Sequence, residues 1–306
     1  MDILTALIAE LGPEVVTAEV PAAFRQDCSG LPPAQPLALV RPRSTAEVAA
    51  ALRLCQAAGV PVVTQGGLTG ISGGAHPLAG AIALSTARLD RIEAVDATMG
   101  TLTAGAGVLL ERAQAAAEAA DLFLGIDIGS RGSCTLGGVL STNAGGNTVV
   151  RYGMARDHVL GLEVVLADGT VVPAMNGLIK NNAGLDLKQL FIGAEGTLGV
   201  ITRAVLRLQP RPTARATALC GLPDTGAALA LLRLARARLG PALSAFEVMW
   251  DRFVAVMAAG TGLRQPLARA HPVQVIVEAT GFSDAATRDA LEMLLAAALE
   301  AGLVTD

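Results

Sequence analysis

Hydrophobic positions recur along the chain with spacings that predict helices alternating with short strands. Residues 1–16 combine apolar and acidic positions and predict a helix of the mature protein, because a signal peptide would be basic there. Residues 45–58 predict a second helix, since Ser44 and Glu47 form a capping box at its start and Gly59 ends it. The N-terminal region is therefore predicted to be folded.

Up to residue 210 the same pattern predicts further elements that build sheets or cover them. They are a strand at 60–64, a strand at 81–86, a β-hairpin at 91–107 around Met99–Gly100, an alanine-rich helix at 108–122, a hairpin at 160–174 with Asp168–Gly169 at its tip, and a strand at 198–210. The first of these strands leads directly into a glycine-rich segment, which is therefore predicted to be a loop at a strand end.

A proline-rich segment at 209–213 predicts a domain boundary, which gives one domain over 1–210 and another over 211–306. The second domain is predicted to contain a strand at 215–222, a helix at 224–240, a strand at 242–250, a helix at 251–260, a strand at 272–281 and a helix at 283–302. This order suits a sheet covered by helices on one face. Because the chain stops at Asp306, soon after a helix, the second domain is predicted to be incomplete and the chain truncated.

Composition narrows the classes of protein. The 306 residues carry a formal net charge of −4 and only 3% of them are aromatic, which argues against a nucleic-acid binder. No apolar run is long enough for a membrane span. The cysteines are scattered without CxxC spacing, which predicts unpaired thiols in a reducing cytoplasm. A cytoplasmic protein, with peripheral attachment to the inner membrane as an option, is therefore predicted.

Two glycine-rich segments carry the candidate chemistry. The loop at 64–75, "TQGGLTGISGGA", holds five glycines together with Thr64, Thr69 and Ser72. Glycine costs conformational entropy on folding, and a cluster of this kind commonly lets backbone N–H groups approach an anion. The segment 129–147, "GSRGSCTLGGVLSTNAGGN", has the same character. Two such loops in one domain predict a nucleotide-like ligand bound by amides and hydroxyls, although either loop alone would suit tight turns equally well.

The two common phosphate motifs are absent from both segments. The dinucleotide fingerprint GxGxxG fails in the first loop at Leu68, and at 105–110 its third glycine is replaced by Leu110. A Walker loop is excluded because no glycine is followed by lysine and then serine or threonine. The cradle is therefore predicted to be of another type.

Four blocks in order carry a resemblance to a known family. They are "PVVTQGGLTGISGGA", "GIDIGSRGSCTLGGVLSTNAGGN", "RYGMARDHVLGLEVVLADG" and "KNNAGLDLKQLFIGAEGTLGVITRAVLRL". The sequence from 39 to 210 resembles the FAD-linked oxidases of the vanillyl-alcohol-oxidase/p-cresol-methylhydroxylase type, in the branch of D-2-hydroxyglutarate, D-lactate and glycolate dehydrogenases. The block "LSAFEVMW" at 243–250 extends the resemblance into the substrate domain of that family.

The resemblance implies an α+β fold in which a two-subdomain FAD-binding domain is followed by an α+β cap domain. By position, the pyrophosphate would be contacted by Gln65, Gly66, Gly67, Leu68, Thr69, Gly70, Ser72 and Gly73. The other wall would be formed by Gly129, Ser130, Thr135, Gly137, Thr142 and Gly145. The adenine side would be reached through the turn after Glu195, with backbone from Gly199, Val200 and Ile201. Gln65 departs from the arginine that many relatives carry there.

The activity implied is FAD-dependent oxidation of a D-2-hydroxy acid, of the 2-hydroxyglutarate or lactate type. It needs a base for the hydroxyl proton and a cation for the carboxylate, and the residues that supply them are not identified. No histidines have metal-ligand spacing, so a divalent metal is expected only in a C-terminal part outside this chain. His76 and His271 are expected to be exposed and His158 to be structural. FAD is expected to be bound non-covalently, since His76 lies after the glycine loop.

Partners and alternatives follow from the same resemblance. The electron acceptor is expected to be a quinone or an electron-transfer flavoprotein. The assembly is left open, with a homodimer as one option. Arg151 and Arg156 face phosphate or substrate in one interpretation, and in the other Arg156 pairs with Asp157 on the surface; Trp250 is expected to pack in the core. A non-catalytic FAD-binding subunit is the alternative function. An oxidase of sugars or aromatic alcohols is a third interpretation, weakened by the blocks at 147–203.

Overall fold

The computed structural model describes residues 2–262, 264, 267 and 269–306. Its α-helices are α1 (Ile3–Leu11), α2 (Thr45–Ala57), α3 (Leu110–Glu118), α4 (Leu136–Ser141), α5 (Val149–Tyr152), α6 (Lys188–Phe191), α7 (Thr225–Leu239), α8 (Asp251–Thr261) and α9 (Asp284–Glu300). Its strands are β1 (Val16–Thr17), β2 (Ala38–Val40), β3 (Val62–Gln65), β4 (Ile82–Ser85), β5 (Ile92–Asp96), β6 (Thr101–Gly105), β7 (Leu122–Phe123), β8 (Val159–Val165), β9 (Val171–Ala174), β10 (Val200–Arg207), β11 (Gln209–Pro210), β12 (Ala214–Leu222), β13 (Leu243–Trp250) and β14 (Val273–Gly281).

The chain divides into two compact units. The first contains Met1–Ala144 and Met154–Pro210, and the second contains Gly145–Gly153 and Arg211–Asp306. The short segment 145–153 thus leaves the first unit for the second and returns. Each unit has its own buried core, so each is described by itself below.

One half of the first unit is a four-stranded sheet in the order β1-β2-β4-β3, in which β2, β4 and β3 are parallel. Its core consists of apolar side chains of α1, α2 and the strands. Helix α2 begins as expected, because the Ser44 side chain accepts a hydrogen bond from the Glu47 N–H at 3.2 Å. The Glu47 carboxylate accepts the N–H of Arg43 at 2.7 Å, so the reciprocal half of the capping box is displaced by one residue.

The other half of the first unit is an antiparallel sheet in the order β5-β6-β10-β8-β9. Both predicted hairpins are confirmed here, since β5 pairs with β6 and β8 with β9. The alanine-rich helix is shorter than predicted: it spans Leu110–Glu118 and is followed by Asp121 at φ 56° and by strand β7. Helix α4 was not predicted, because its two glycines have low helix propensity and Gly137 is held by packing against Ala106.

The second unit has a three-stranded antiparallel sheet in the order β12-β14-β13. Helices α7 and α9 bury their apolar side chains together with this sheet in one core. All three strands and all three helices predicted after residue 210 are confirmed. Helix α8 differs from the other two because none of its residues is buried.

Candidate functional site

The first glycine loop leaves β3 and runs against the second glycine-rich segment. A Cβ atom added to Gly66 would lie 2.5 Å from Thr135 Oγ1, and one added to Gly67 would collide with the Ser133 carbonyl oxygen and Cys134. Only glycine permits this backbone-to-backbone approach. The structure therefore brings together the two loops that the sequence singled out.

The amides of this loop are left without protein partners. Among the residues that the structure describes, no hydrogen bond is donated by a backbone N–H between residues 67 and 75. The loop is partly exposed and bends through Leu68 at φ 57° and Gly73 at φ 83°. A run of unused donors of this kind is a ready cradle for an anionic ligand.

Gln65 anchors the base of the loop. Its side chain is fully buried, and Nε2 donates to the carbonyl oxygens of Phe24 at 3.1 Å and Ala75 at 3.2 Å. The amide therefore closes the loop across its two ends. Its Oε1 atom is buried without a hydrogen-bond partner in the described part of the chain. Gln65 therefore shapes the loop from its base.

Several hydrogen-bonding groups of the second glycine-rich segment, 129–147, are already used within the fold of the protein. Thr135 caps α4 by accepting the N–H of Gly138 at 3.4 Å, and the N–H of Gly137 donates to Ala106 O at 2.7 Å. The Thr142 hydroxyl donates to Gly138 O at 2.9 Å. Gly129 lies in open space, whereas Gly145 belongs to the second unit. The main role of this segment is thus to support the first glycine loop, because many of its own hydrogen-bond donors are already used within the fold.

The turn that contains Glu195 closes the loop from a third direction. Glu195 has a φ of 52°, its N–H donates to Ser141 O at 2.9 Å, and its carboxylate lies against Gly74. Gly196 follows with a φ of 80° and lies beside Thr64. The left-handed backbone at both residues turns the chain sharply into β10.

A cleft of about 290 Å³ opens beside this turn within the first unit. Its lining is part apolar and part polar and comes from α2, β3 and the segment that enters β10: Leu52, Cys55, Gln56, Val60, Pro61, Val62, Thr64, Ala167, Gly196, Thr197, Leu198, Gly199 and Val200. Ile201 is outside this lining, since it is buried in β10 and pairs with Val164. A cleft of mixed lining next to an amide cradle suits a ligand with a flat ring system and phosphates.

These observations fit FAD at the first unit. The diphosphate would meet the unused amides of residues 67–75, and the adenine ring would meet the cleft beside β10. No Cβ atom obstructs the loop, because the glycines hold the positions of closest approach. Hydroxyls and amides, rather than lysine, are the donors available there.

Two predictions about histidines are wrong. His271 is 4% exposed, because its ring lies against Gly221 and its Nε2 is 3.2 Å from Asp306 Oδ2. The His76 side chain is 10% exposed and turns towards Asp27. His158, which was predicted to be structural, is buried, and burial lowers its pKa because desolvation disfavours the charged imidazolium.

Trp250 and the two arginines also differ from expectation. Trp250 ends β13 and is 57% exposed, so it does not pack in the core. Arg156 donates to Gln189 Oε1 at 2.8 Å and to Ile192 O at 2.9 Å instead of pairing with Asp157. Arg151 donates to Thr280 O at 2.9 Å within the second unit.

Asp27 is the site residue that sequence reasoning missed. Its side chain is fully buried and its Oδ1 lies 3.8 Å from His76 Nδ1, close to the glycine loop. The only local signal was the Asp-x-Ser spacing to Ser29, whose N–H donates to Oδ1 at 3.0 Å. That signal predicts a turn, not a contact with a distant loop.

Metal and membrane signals are negative within the described residues. No group of three or more histidine, cysteine, aspartate or glutamate side chains there has the arrangement of a metal site. In the same part of the chain no helix combines the length and apolar character needed to cross a membrane. All four cysteines are free, with Cys28 exposed and the others buried, as the sequence predicted.

Two family descriptions match the chain: FAD binding domain over residues 36–174, and FAD linked oxidases, C-terminal domain, over residues 211–306. Mitochondrial D-2-hydroxyglutarate dehydrogenase of Bos taurus is 42% identical over 268 residues, which are 88% of this chain and 49% of that protein. The mitochondrial enzyme of the same name from Arabidopsis thaliana is 36% identical over 269 residues, with shares of 88% and 48%. D-2-hydroxyglutarate dehydrogenase of Xanthomonas citri pv. viticola is 39% identical over 271 residues, with shares of 89% and 57%.

The chain thus spans about half the length of the curated relatives it matches. Among solved structures, alkyldihydroxyacetonephosphate synthase superposes with a TM-score of 0.77 at 19% identity, covering 97% of this chain and 58% of that chain. p-Cresol methylhydroxylase superposes with 0.77 at 18% identity, covering 97% and 63%. At these identities the likeness concerns the fold, and it confirms the predicted α+β class.

The predicted cytoplasmic location is wrong by these comparisons. The relatives from Bos taurus and Arabidopsis thaliana are both named as mitochondrial. Composition could not reveal this, because net charge and unpaired cysteines are compatible with any reducing compartment.

Proposed function

The chain belongs to the FAD-linked oxidases, and from this premise we propose that the protein oxidises a D-2-hydroxy acid to the 2-oxo acid. The substrate class is that of 2-hydroxyglutarate or lactate, and the names of the relatives from Bos taurus and Xanthomonas citri pv. viticola favour 2-hydroxyglutarate. Because the chain spans about half of those relatives, the activity is proposed for the protein as a whole.

One observation carries the cofactor assignment. The backbone N–H groups of residues 67–75 donate no hydrogen bond among the described residues, although the loop is fixed at its base by Gln65 and along its side by Ser133–Thr135. A loop that is held in place and yet has unused donors is preorganised for an anion, so little ordering would be needed when a diphosphate binds.

The roles of individual residues follow from this arrangement. Gly66, Gly67, Leu68, Thr69, Gly70, Ser72 and Gly73 would surround the diphosphate, with Gln65 beneath them. Gly129, Ser130, Thr135, Gly137 and Thr142 are proposed as the opposite wall, in which Thr135 and Gly137 act by supporting the first loop, and Gly145 is left out because it belongs to the second unit. Glu195, Gly199, Val200 and Ile201 are proposed for the adenine side, and of these Gly199 and Val200 line the cleft beside β10. We also propose that residues 1–210, apart from the segment 145–153 that belongs to the second unit, form the cofactor domain and 211–306 part of the cap.

Bound FAD would supply the acceptor for the hydride of the hydroxy acid. In this proposal the described residues of the first unit bind and orient the cofactor: the amide dipoles of the glycine loop stabilise the diphosphate, and the cleft beside β10 receives the ring of the nucleotide. The cofactor is proposed to be non-covalent, since the His76 side chain is largely buried against Asp27. A quinone or an electron-transfer flavoprotein is proposed as the electron acceptor, and a homodimer as the assembly.

Glycine variants test the cradle. Gly70 has open space around the position of a Cβ, whereas Gly67 does not, so Gly70→Ala should fold normally and Gly67→Ala should disturb the contact between the loops. We expect Gly70→Ala to weaken FAD binding about tenfold, because the methyl group occupies space next to the diphosphate. Flavin fluorescence titration of the FAD-free protein measures the affinity, and circular dichroism checks the fold.

Gly260→Ala in α8 is the matched control, since a Cβ there also meets open space but lies outside the cradle. If Gly70→Ala bound FAD with wild-type affinity, the loop would not be part of the cofactor site. The activity itself is tested by anaerobic bleaching of the flavin band with D-2-hydroxyglutarate or D-lactate. A flavoprotein that neither acid bleaches would refute the proposed substrate class.

A non-catalytic FAD-binding subunit is the second candidate. One observation favours it: no histidine of the described residues presents an exposed side chain, because His158 and His271 are buried and the His76 side chain is 10% exposed. The same bleaching experiment separates the candidates. Retained FAD without reduction by any 2-hydroxy acid would support the subunit.

A further inference from the structure

An N-terminal strap, residues 20–36, runs beside the glycine loop and contacts it at three points. Phe24 O accepts Nε2 of Gln65 at 3.1 Å, Asp27 faces His76, and the Leu31 Cδ1 atom lies 3.3 Å from where a Cβ of Gly73 would be. At its start the strap is tied to the first sheet, because Val20 is buried with Leu39 and Ala83. The strap therefore connects the cradle to the body of the first unit.

The contact between Asp27 and His76 is the unusual one. The Asp27 side chain is fully buried, and Oδ2 has no hydrogen-bond partner among the described residues; the same is true of His76 Nδ1. Burial alone would raise the pKa of Asp27, but the hydrogen bonds from Ser29 and the charge of His76 outweigh it, so the pKa is lowered. A buried carboxylate is costly unless hydrogen bonds or an opposite charge compensate it. Ser29 supplies hydrogen bonds to Oδ1, and His76 Nδ1 lies 3.8 Å from the same oxygen.

Sequence position explains what this pair can do. Asp27 belongs to the strap, whereas His76 directly ends the glycine loop and its N–H donates to Gly73 O at 3.1 Å. Holding His76 therefore holds the last turn of the loop, in which Gly73 has a φ of 83°. The unused amides of residues 67–75 lie between this turn and Gln65. Two buried anchors thus define the shape of the loop before any ligand arrives.

We propose that Asp27 and His76 are positioning residues, which clamp the glycine loop to the N-terminal strap in the geometry that receives the diphosphate of FAD. The inference rests on the proposed FAD site and deepens it. Neither side chain contacts the ligand in this proposal. They act by keeping the loop amides convergent, so that binding does not have to order them.

The test uses Asp27→Asn, His76→Gln and the double variant, with two readouts. The first is FAD affinity by fluorescence titration, where each single variant is expected to bind about tenfold more weakly. The double variant is expected to be no weaker than the singles, because the residues act as one pair. The second readout is tryptic cleavage after Arg25 in the FAD-free protein, which is expected to be about tenfold faster once the strap is released.

Asp90→Asn is the matched control, since Asp90 forms an exposed pair with Arg112 at 3.7 Å and should leave both readouts unchanged. Wild-type cleavage and affinity in Asp27→Asn would overturn the clamp. Faster cleavage with unchanged affinity would overturn its positioning role, and additive losses in the double variant would overturn the pairing. If the wild type bound no FAD, the proposed function would fail, while cleavage would still report on the clamp.

Discussion

At the scale of single residues, the environment of a side chain decides its chemistry more than its type does. The three histidines illustrate this: one faces a buried carboxylate, one bonds to the C-terminal residues, and one is buried without any partner. His158 is the third, and the residue is 1% exposed. Burial therefore disfavours its charged form in the folded protein and lowers its pKa.

This argument predicts acid sensitivity at His158. Its pKa lies below the ordinary value of 6.5 in the folded chain, so the unfolded chain takes up the proton first as the pH falls. The free energy of unfolding should therefore decrease below pH 6.5, by up to about 1.4 kcal/mol per pH unit from this residue. His158→Leu should remove that part of the decrease. Urea unfolding at several pH values measures it.

A comparison at pH 8 provides the internal control, because the imidazole is neutral in both the folded and the unfolded chain there. The leucine variant should then be of similar or greater stability, since two unpaired nitrogens are no longer buried. Parallel pH profiles for the variant and the wild type would contradict the prediction.

At the scale of elements, capping side chains set where helices begin. Ser44, Thr135, Asp224 and Ser283 each accept an N–H from the first turn of the helix that follows. These are the residue types that can satisfy orphan amides at a helix start. Local capping chemistry is therefore why α2, α7 and α9 begin where the sequence predicted.

The cap of α7 is expected to contribute measurably to the second unit. Asp224 Oδ1 accepts the Ala227 N–H at 2.8 Å at the start of a helix of 15 residues. Asp224→Ala should destabilise this unit by about 1 kcal/mol, whereas Asp224→Asn should retain most of the cap. Hydrogen exchange over Thr225–Leu239 measures the loss. Asp289→Ala, on the exposed side of α9, serves as the control, and equal effects of the two alanine variants would argue against capping.

At the scale of the whole molecule, a segment can belong to a different unit from the residues that flank it in the sequence. Residues 145–153 precede the second unit in sequence by nearly sixty positions and nevertheless belong to it. Within that unit Arg151 donates to Thr280 O at 2.9 Å and lies 4.9 Å from the ring centre of Tyr152. Val150 packs against the core of the same unit. The second unit is thus built from two separate stretches of chain.

Arg151→Ala is therefore expected to destabilise the second unit, although it lies before residue 210. Losing the guanidinium leaves the Thr280 carbonyl without this donor, at a cost of about 1–3 kcal/mol. Hydrogen exchange should increase over Val273–Gly281 and stay unchanged over Val159–Val165. The matched control is Arg233→Ala, an exposed arginine on α7. Faster exchange in both strands would mean that Arg151 supports the first unit as well.

The sequence by itself determined the features that depend on local backbone chemistry. Glycine clusters, hairpin turns at Met99–Gly100 and Asp168–Gly169, and helix caps are all encoded within a few residues, so β5–β6, β8–β9 and α2 were found. Ordered motif blocks also identified the FAD-linked oxidase family, which the matches at 36–174 and 211–306 confirm. These features can be predicted because they depend on residues that are close in the sequence and not on contacts with distant parts of the chain.

Only the tertiary structure decided which distant residues meet. The approach of Gly67 to Ser133, the contact of Asp27 with His76, the burial of His271 and the membership of residues 145–153 in the second unit carry no periodic or local signal. Helix α4 formed against its propensity because packing of Gly137 on Ala106 outweighed it. The physical reason is common to all of these features: burial and long-range contacts depend on the whole fold, whereas a sequence pattern reports only on its neighbours.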